Sequence, residues 1–419
     1  MKLLLVNQAF VSFDEPGFTR HFEMARYLRE HGHEMVIVGS DVNYQTGKRI
    51  FEHEGWIAEQ ELDGVRVLRA STLPALHRNY FWRVISFVGF MFTALVASLR
   101  VKDVDLVIGS SPPIFQALAA WFAAFLLRKP FLFEVRDLWP QFAIDMKVIH
   151  NPIVIHLAYA VEKFLYRRAV HILVNSPAYK PYIIQRGIPP EKITFIPYGT
   201  DVSMFHPNVD GSALRKAWGL DGKFIVLYAG AMGQANDIYT VLRAAAHLRH
   251  HPTIHFLLFG DGKEGPNLRA EAQRLGLTNV TFGGVAPKTK MPAIVAAADV
   301  CLAILQDIPG FRMTYPNKVF DHMAAGRATV LVIDGVIRKV IEASGGGVFV
   351  PPGDDLALAK TLQELANDPE RVRQMGQKAR QYLLQHFDRR QKLAETMQLF
   401  QNVIAQCNRQ GGKAPSSPQ

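Results

Sequence analysis

The sequence predicts an α/β protein made of two doubly wound, Rossmann-like domains that face a cleft. An alternation of short buried-strand patterns with helical patterns runs through both halves of the chain. At 419 residues the chain is too long for one hydrophobic core and comfortable for two. Glycines, prolines and charged residues gather at strand ends, where open α/β sheets with right-handed crossovers hold their ligands.

Bulk properties narrow the partners. With 47 Lys and Arg against 37 Asp and Glu the formal charge is +10, which suits anionic small molecules, an anionic membrane or nucleic acid. No zinc-ligand spacing, basic helix or aromatic RNA-binding signature accompanies the charge, so nucleic acid is not expected. Cys301, in a buried-strand pattern, and Cys407, near the end, form no disulfide framework and fit a reducing cytosol. Residues 1–6 are apolar, but Asn7 and Asp14 follow without a cleavage site, so the segment reads as a first strand and not as a signal peptide.

In chain order, residues 3–6 form that strand and 7–17 a loop. A helix follows at about 19–30, with Phe22, Ala25, Tyr27 and Leu28 apolar and Gly32 as its stop, and then a strand at 34–38. No G-x-G-x-x-G opens this helix, so the unit carries no dinucleotide fingerprint. Residues 47–61 read as a loop and 65–68 as a strand. Residues 84–99 are apolar and uncharged between Arg83 and Arg100, short of the ~20 residues a spanning helix needs. With Arg78, Trp82 and Arg83 at headgroup level this is an interfacial helix; otherwise it is a buried helix under the sheet. Residues 115–127, ending at Arg128 and Lys129, form a second apolar helix.

Strand 105–108 runs into Gly109-Ser-Ser-Pro-Pro113, and strand 131–135 into Arg136-Asp137-Leu-Trp-Pro140. Glu134, Arg136 and Asp137 at one strand end are poor core residues and good site residues, unless Arg136 forms a structural ion pair with Glu134 or Asp137. A helix at 155–168, a strand at 171–175, a helix capped by Ser176-Pro177 and a strand at 193–196 complete this half. The hinge is expected between 207 and 223, with domains at 1–207 and 208–386.

The second half opens with strand 224–228 and the turn Gly230-Ala-Met-Gly233; strand 255–260 ends in Gly260-Asp261-Gly262. Strand 280–282 leads through Gly283 and Gly284 to a helix at 287–298, and strand 300–305 follows. The densest stretch is Tyr315-Pro-Asn-Lys-Val-Phe-Asp-His-Met-Ala-Ala-Gly326. Pro316 suits a first helical turn, Val319, Phe320, Met323 and Ala324 make an apolar face, and Gly326 is the stop before strand 329–333. Arg312, Asn317 and Lys318 thereby meet at a helix N-terminus, whose amides and dipole already favour a phosphate-sized anion. Asp321, one turn on, is placed on the same side, within reach of a ribose hydroxyl. The alternative is an ordinary capped helix with Lys318 and Asp321 as a solvated pair. Residues 345–354 form a turn, strand and turn. Helices at 354–367, 369–386 and 387–408 follow, and 409–419 reads as a disordered tail.

Phe320-Asp-His-Met-Ala-Ala-Gly326 resembles the E-A-M-A-A-G signature of the retaining, nucleotide-sugar-dependent glycosyltransferases of family four, which have the GT-B fold. The likeness covers nearly the whole chain. Pro316-Asn-Lys-Val-Phe-Asp321 resembles the branch that builds O-antigen and capsule repeats, the WbuB-like amino- and deoxy-sugar transferases. In the family two glutamates spaced E-x7-E grip the donor, and the second binds the ribose. The second position here is Asp321; the first is Met313, so that acid is missing.

The resemblance implies that the turn from Gly230 to Gly233 approaches the donor phosphates, with Gly260, Asp261 and Gly262 on the donor side. It implies that the 284–287 loop, Val285 included, packs the base. The arginine and lysine many members carry after the first turn are absent, with Ala231 and Asp237 in their place. That leaves phosphate neutralisation to Arg312 and Lys318. Gly17 and Arg20 match the family's glycine-bearing acceptor-side loop, beside the plain reading of a helix start with Arg20 exposed. Arg136 stands where many members have a histidine. Residues 197–207 resemble the segment that leads out of the first domain, and the last helix of this fold crosses back to that domain.

The expectation is a transferase that moves an N-acetylamino or deoxy sugar from a nucleotide-diphosphate donor. Arg312, Lys318 and Asn317 would stabilise the leaving diphosphate and Asp321 would hold the ribose. Glu134, Arg136 and Asp137 would face donor sugar and acceptor. The family needs no metal, and no cofactor is expected beyond the nucleotide sugar. The basic, apolar first half suits a polyprenyl-diphosphate-linked saccharide as acceptor and a cytoplasmic protein peripheral to the inner face of the plasma membrane. A soluble transferase acting on a small metabolite, a nucleotide-sugar 2-epimerase and an inactive scaffold remain as alternatives.

Overall fold

A computed structural model describes residues 1–411 apart from 16, 45, 76, 77 and 79; the expected tail from 412 on lies outside the described residues. The chain divides into two compact units, Met1–Ile196 with Leu393–Gln419, and Pro197–Lys392. The division falls ahead of the expected 207 because the segment after Ile196 packs with the second unit. The Thr200 N–H donates to Phe387 O, the Arg380 guanidinium donates to Phe205 O, and the Phe205 ring joins the second unit's core.

The first unit holds strands β1 (Lys2–Val6), β2 (Glu34–Ser40), β3 (Ile57–Leu62), β4 (Val65–Ala70), β5 (Leu106–Ser111), β6 (Phe131–Val135), β7 (His171–Val174) and β8 (Ile193–Phe195). Its helices are α1 (Arg20–Glu30), α2 (Tyr80–Leu99), α3 (Ile114–Leu127), α4 (Gln141–Asp145), α5 (Pro152–Arg168) and α6 (Tyr179–Ile184). The sheet order is β3-β4-β2-β1-β5-β6-β7-β8, so the winding reverses between β1 and β5. All neighbours are parallel except β3, which runs antiparallel to β4. All of β3 but its last residue falls inside the loop expected at 47–61; as an edge strand β3 is half-exposed and lacks the apolar run that announces a central strand.

The second unit holds β9 (Phe224–Ala229), β10 (Ile254–Phe259), β11 (Val280–Gly284), β12 (Val300–Ile304), β13 (Ala328–Val332) and β14 (Gly347–Phe349), ordered β11-β10-β9-β12-β13-β14 and all parallel. Around them lie α7 (Ser212–Ala217), α8 (Ile238–His247), α9 (Gly265–Arg274), α10 (Met291–Ala296), α11 (Asn317–Ala324), α12 (Val336–Ser344), α13 (Asp355–Ala366) and α14 (Pro369–His386). α7 occupies the stretch expected to be the hinge. The last helix, α15 (Arg389–Gly411), runs past the expected end at 408, and its Leu393, Phe400 and Val403 pack in the first unit's core.

Both cores are strand-borne. Leu3 to Val6, Val36 to Val38 and Leu106 to Ile108 are buried on both faces, as are Ile225 to Tyr228 and Val330 to Val332, which is the continuous apolar pattern of parallel sheets covered by helices. One helix corrects the sequence reading. α2 has 20 residues and begins at Tyr80 instead of 84, and Phe81–Leu99 is long and apolar enough to cross a membrane by length and composition, with about a third of it buried. The premise that it is shorter than a span does not hold.

Candidate active site

The first unit's polar cluster stands where β1 and β6 end, beside the start of α1. Gly17 leads into that helix with φ +148°, and a Cβ there would come within 2.8 Å of Val11 Cγ2, so the turn requires glycine. The turn delivers Arg20 and His21. Glu134, 5% exposed, accepts from the Arg20 guanidinium and from His21 Nε2 at 2.8 Å, while Asn7 Nδ2 donates to His21 Nδ1 at 2.7 Å. With both bonds made, the ring is the neutral Nε2–H tautomer.

The electrostatics agree. Burial takes the His21 imidazole down to about 4, against the pull of Glu134 and with the push of Arg20. Burial would raise the Glu134 carboxyl, but Arg20, His21 and Arg136 overcome it and hold the group below the ordinary carboxylate range. Arg20 is therefore a buried partner and not an exposed helix-start cation.

Arg136 pairs with neither expected acid. Its Nε donates to Ser111 O at 3.2 Å and its Nη2 to Pro112 O at 2.9 Å, which pins it to the loop after β5. Asp137 has its carboxyl raised by burial, with Arg136 and Arg20 opposing.

The second unit's site is a stack of glycine turns at the ends of β9, β10 and β11. The Gly230 N–H donates to Phe259 O at 2.9 Å, Gly260 N–H to Gly284 O at 2.7 Å, and Met232 N–H to Asp261 O at 2.9 Å. A Cβ on Gly260 would overlap Gly230 O, and one on Gly262 would sit 2.6 Å from Met232 O, so the turns close only without side chains. Asp261 Oδ1 accepts from Gly262 N–H at 2.9 Å and stays in the turn. Gly233 opens on empty space, and Val285 is largely exposed in the following loop.

Lys318 rises from the first turn of α11 into these turns. A Cβ on Gly230 would overlap its Nζ, and that Nζ lies 4.1 Å from the centroid of the Tyr228 ring. The residue as a whole is partly open, but its ammonium is covered and finds no hydrogen-bond partner among the described residues. Burial alone lowers its pKa to about 7. One turn on, His322 is buried, its Nδ1 unpartnered among the described residues and its pKa taken to about 3 by burial and then by the charge of Lys318.

Two expected donor residues have partners of their own. Asp321 accepts from Thr200 Oγ1, while the charge of Lys318 acts on His322. Arg312 makes a two-pronged pair with Asp307, both arms at 2.9 Å, and its side chain is half-exposed. Pro316 caps α11 from outside, and Asn317 is its first residue; Met313 closes the short 3-10 turn Phe311–Met313.

Comparison with known proteins agrees with this architecture. Residues 19–199 match the glycosyl transferase 4-like domain and residues 223–368 the glycosyl transferases group 1 domain. The chain is a GT-B glycosyltransferase. The transferase is 25% identical over 321 residues, 74% of its own length and 78% of the other's, to the Escherichia coli K12 glycosyl transferase WcaI, named for colanic acid biosynthesis. Its fold superposes on sucrose-phosphate synthase from Thermosynechococcus elongatus with a TM-score of 0.77 at 19% identity, covering 96% and 99% of the two chains. It also superposes on Anabaena HepE, solved in complex with UDP-glucose, with a TM-score of 0.71 at 18% identity and coverage of 95% and 99%.

The sequence of the transferase marks Glu134, Arg136, Asp137, Lys318 and the glycine turns, and the structure brings each group together within its own unit. It does not mark Asn7, His21, Tyr228 or His322. The first two adjoin a strand end and a helix start, which is the available signal; nothing local distinguishes the other two from core residues. Asp103-Val-Asp105, an Asp-x-Asp triplet, lies at the opposite end of β5, where Asp105 accepts from Lys2 N–H at 2.7 Å. No cluster of three metal-ligating side chains occurs among the described residues.

Proposed function

We propose that the transferase is a retaining enzyme that moves an N-acetylamino or deoxy sugar from a nucleotide-diphosphate donor to a polyprenyl-diphosphate-linked saccharide in surface polysaccharide synthesis. One observation carries the donor assignment. A covered ammonium without a partner, against a glycine turn and an aromatic face, is costly unless an anion completes it. The diphosphate of a nucleotide sugar has the charge and size to do so, and its leaving-group charge is stabilised by a donor already in place. Lys318 supplies that charge without a metal ion. The UDP-glucose bound in HepE supports a uridine nucleotide as first choice, and the relationship to WcaI supports a polysaccharide product.

The acceptor reading rests on the outward faces of α2, α3 and α5. Phe92, Val96 and Leu99 of α2, Phe122, Phe125 and Leu126 of α3, and Ile153, Val154 and Leu157 of α5 are all exposed. α2 and α3 contain no acid, the single acid of α5, Glu162, is buried, and Arg83, Arg100, Arg128, Lys129, Arg167 and Arg168 surround them. An apolar face with a cationic rim suits peripheral docking on an anionic cytoplasmic leaflet.

Calorimetry of UDP binding at pH 7 with EDTA present tests the donor reading. Wild-type protein binds and Lys318→Ala binds at least about tenfold more weakly, the cost of one charge-assisted contact. Equal affinity in the two proteins would remove the diphosphate assignment.

A further inference from the structure

Four aromatic rings from separate segments of the first unit line up. Tyr44 stacks on Phe87 of α2 at 6.4 Å and 10°, Phe87 meets Phe115 of α3 at 6.0 Å and 33°, and Phe115 meets Trp139 at 6.4 Å and 58°. Aromatic neighbours at such spacings are common in cores. These are not core rings: Tyr44 is 37% exposed and the other three are half-buried. The row ends at charge. Trp139 belongs to the segment of Arg136 and Asp137, and Tyr44 lies within electrostatic reach of Arg83, Arg136 and Asp137. Its two middle rings, Phe87 and Phe115, stand on α2 and α3, which also carry exposed apolar residues.

We propose that this row is a track for the isoprenoid carbons next to the diphosphate of a lipid-linked acceptor, with Arg83 and Arg136 taking the diphosphate. The inference rests on the lipid-linked acceptor argued above and names the part of it that the first unit grips. A saccharide calls for convergent hydroxyl and amide partners, whereas the row offers ring faces, which suit a methyl-branched hydrocarbon. Two guanidiniums near one end suit a diphosphate, which arginine recognises through paired N–H donors. Arg136 is already oriented. Its Nε and Nη2 are held by carbonyls, and its Nη1 makes no hydrogen bond among the described residues. Phe122 and Leu126 of α3, about two and three turns on from Phe115 and on the same side of that helix, are exposed and carry the track along α3 to the surface.

The test uses the full chain and geranylgeranyl diphosphate, with inorganic diphosphate as the headgroup control and UDP as the check on folding. Geranylgeranyl diphosphate binds at least about tenfold more tightly than inorganic diphosphate, and Tyr44→Ala and Phe87→Ala each remove most of that difference. Both variants leave inorganic diphosphate and UDP affinity unchanged, and Arg83→Ala weakens both diphosphates. Phe92→Glu and Phe125→Glu, on the outward faces, reduce binding to anionic vesicles and leave the soluble probe unaffected. Phe87→Leu, which keeps most of the volume, guards against a folding defect and retains an intermediate affinity. Equal binding of the two diphosphates, or affinities unmoved by Tyr44→Ala and Phe87→Ala, overturns the track. If UDP still binds in that case, the nucleotide-sugar reading survives it; if wild-type protein binds no UDP, that reading falls by itself.

Discussion

At the N-terminal edges of their sheets the two units repeat one device. His171 of β7 meets Thr194 of β8 at 2.8 Å, and His255 of β10 meets Thr281 of β11 at 2.8 Å. Burial lowers both imidazoles, each helped by a lysine, Lys192 in one unit and Lys223 in the other. At the C-terminal edges the units part. In the first, the buried carboxylate of Glu134 is met by Arg20 and His21, and the ring of His21 by Asn7. In the second, the ammonium of Lys318 meets a ring face and, among the described residues, no hydrogen-bond partner. A buried charge with its partners present is framework, whereas one without them marks where a ligand of opposite charge belongs.

Breaking the framework should have the largest effect. Glu134→Gln leaves the mostly buried guanidinium of Arg20 against a neutral amide, and removing one member of such a pair costs about 3–5 kcal/mol of stability. Urea unfolding at pH 7 measures it. The sign with pH follows from the depressed carboxyl: its contribution is present above the unfolded value near 4.5 and is lost as pH falls through the folded one. A loss under about 1 kcal/mol, the range of an exposed pair, would mean that the cluster is not framework and would dissolve the contrast between the units.

Removing the orphan should do the reverse. Lys318→Met is expected to cut turnover at least ~100-fold, as loss of one preorganised anion contact does, while raising the melting temperature of the unliganded protein. The folded pKa, about 7, lies below the unfolded 10.5, so the lysine costs stability that is regained as pH rises from 7 toward 10.5. The stabilisation by Met is therefore greatest at pH 7 and below and fades toward pH 10.5. Scanning calorimetry across that range checks it, and a variant less stable than wild type at pH 7 would show that the ammonium already has a partner.

Much of this was legible in the sequence, and the misses have physical causes. Residues 369–386 read as a helix and are α14, since Asp368 accepts from Arg371 N–H and Pro369 opens the first turn. The glycine turns were legible because no side chain fits there. His21 was not, because its role is set by Glu134, 113 residues further on in β6. Helical spacing puts residues 318 and 321 on neighbouring sides of α11, but the rotation between them suffices to send Lys318 to Gly230 and Asp321 to Thr200. The pairing of Arg312 with Asp307, in the same loop, was not legible from charge alone.

One residue sharpens the rule that pairing makes framework. Glu162 of α5 is as buried as Glu134 and also has its cation, yet burial pushes its carboxyl up to about 7. Its partners explain the difference. Arg186 Nε stands 3.3 Å away and shares its guanidinium with the Tyr182 ring, 3.3 Å from the centroid, and the remaining bonds come from neutral Tyr166 at 3.0 Å and Tyr182 at 3.5 Å. A cation held off by a ring does not offset desolvation as Arg20 and His21 do. Because the folded pKa exceeds the unfolded value, the favourable contribution is full below about 4.5 and is lost as pH rises through 7. Glu162→Gln removes this slope, which is at most about 1.4 kcal/mol per pH unit, and leaves a pH-independent offset from the changed Arg186 contact. The stability of the variant relative to wild type should therefore climb between pH 5 and pH 8, whichever of the two is the more stable at pH 5. Parallel urea curves at both pH values give the answer; an unchanged difference would mean that Glu162 is ionised throughout, and that a cation at 3.3 Å is partner enough.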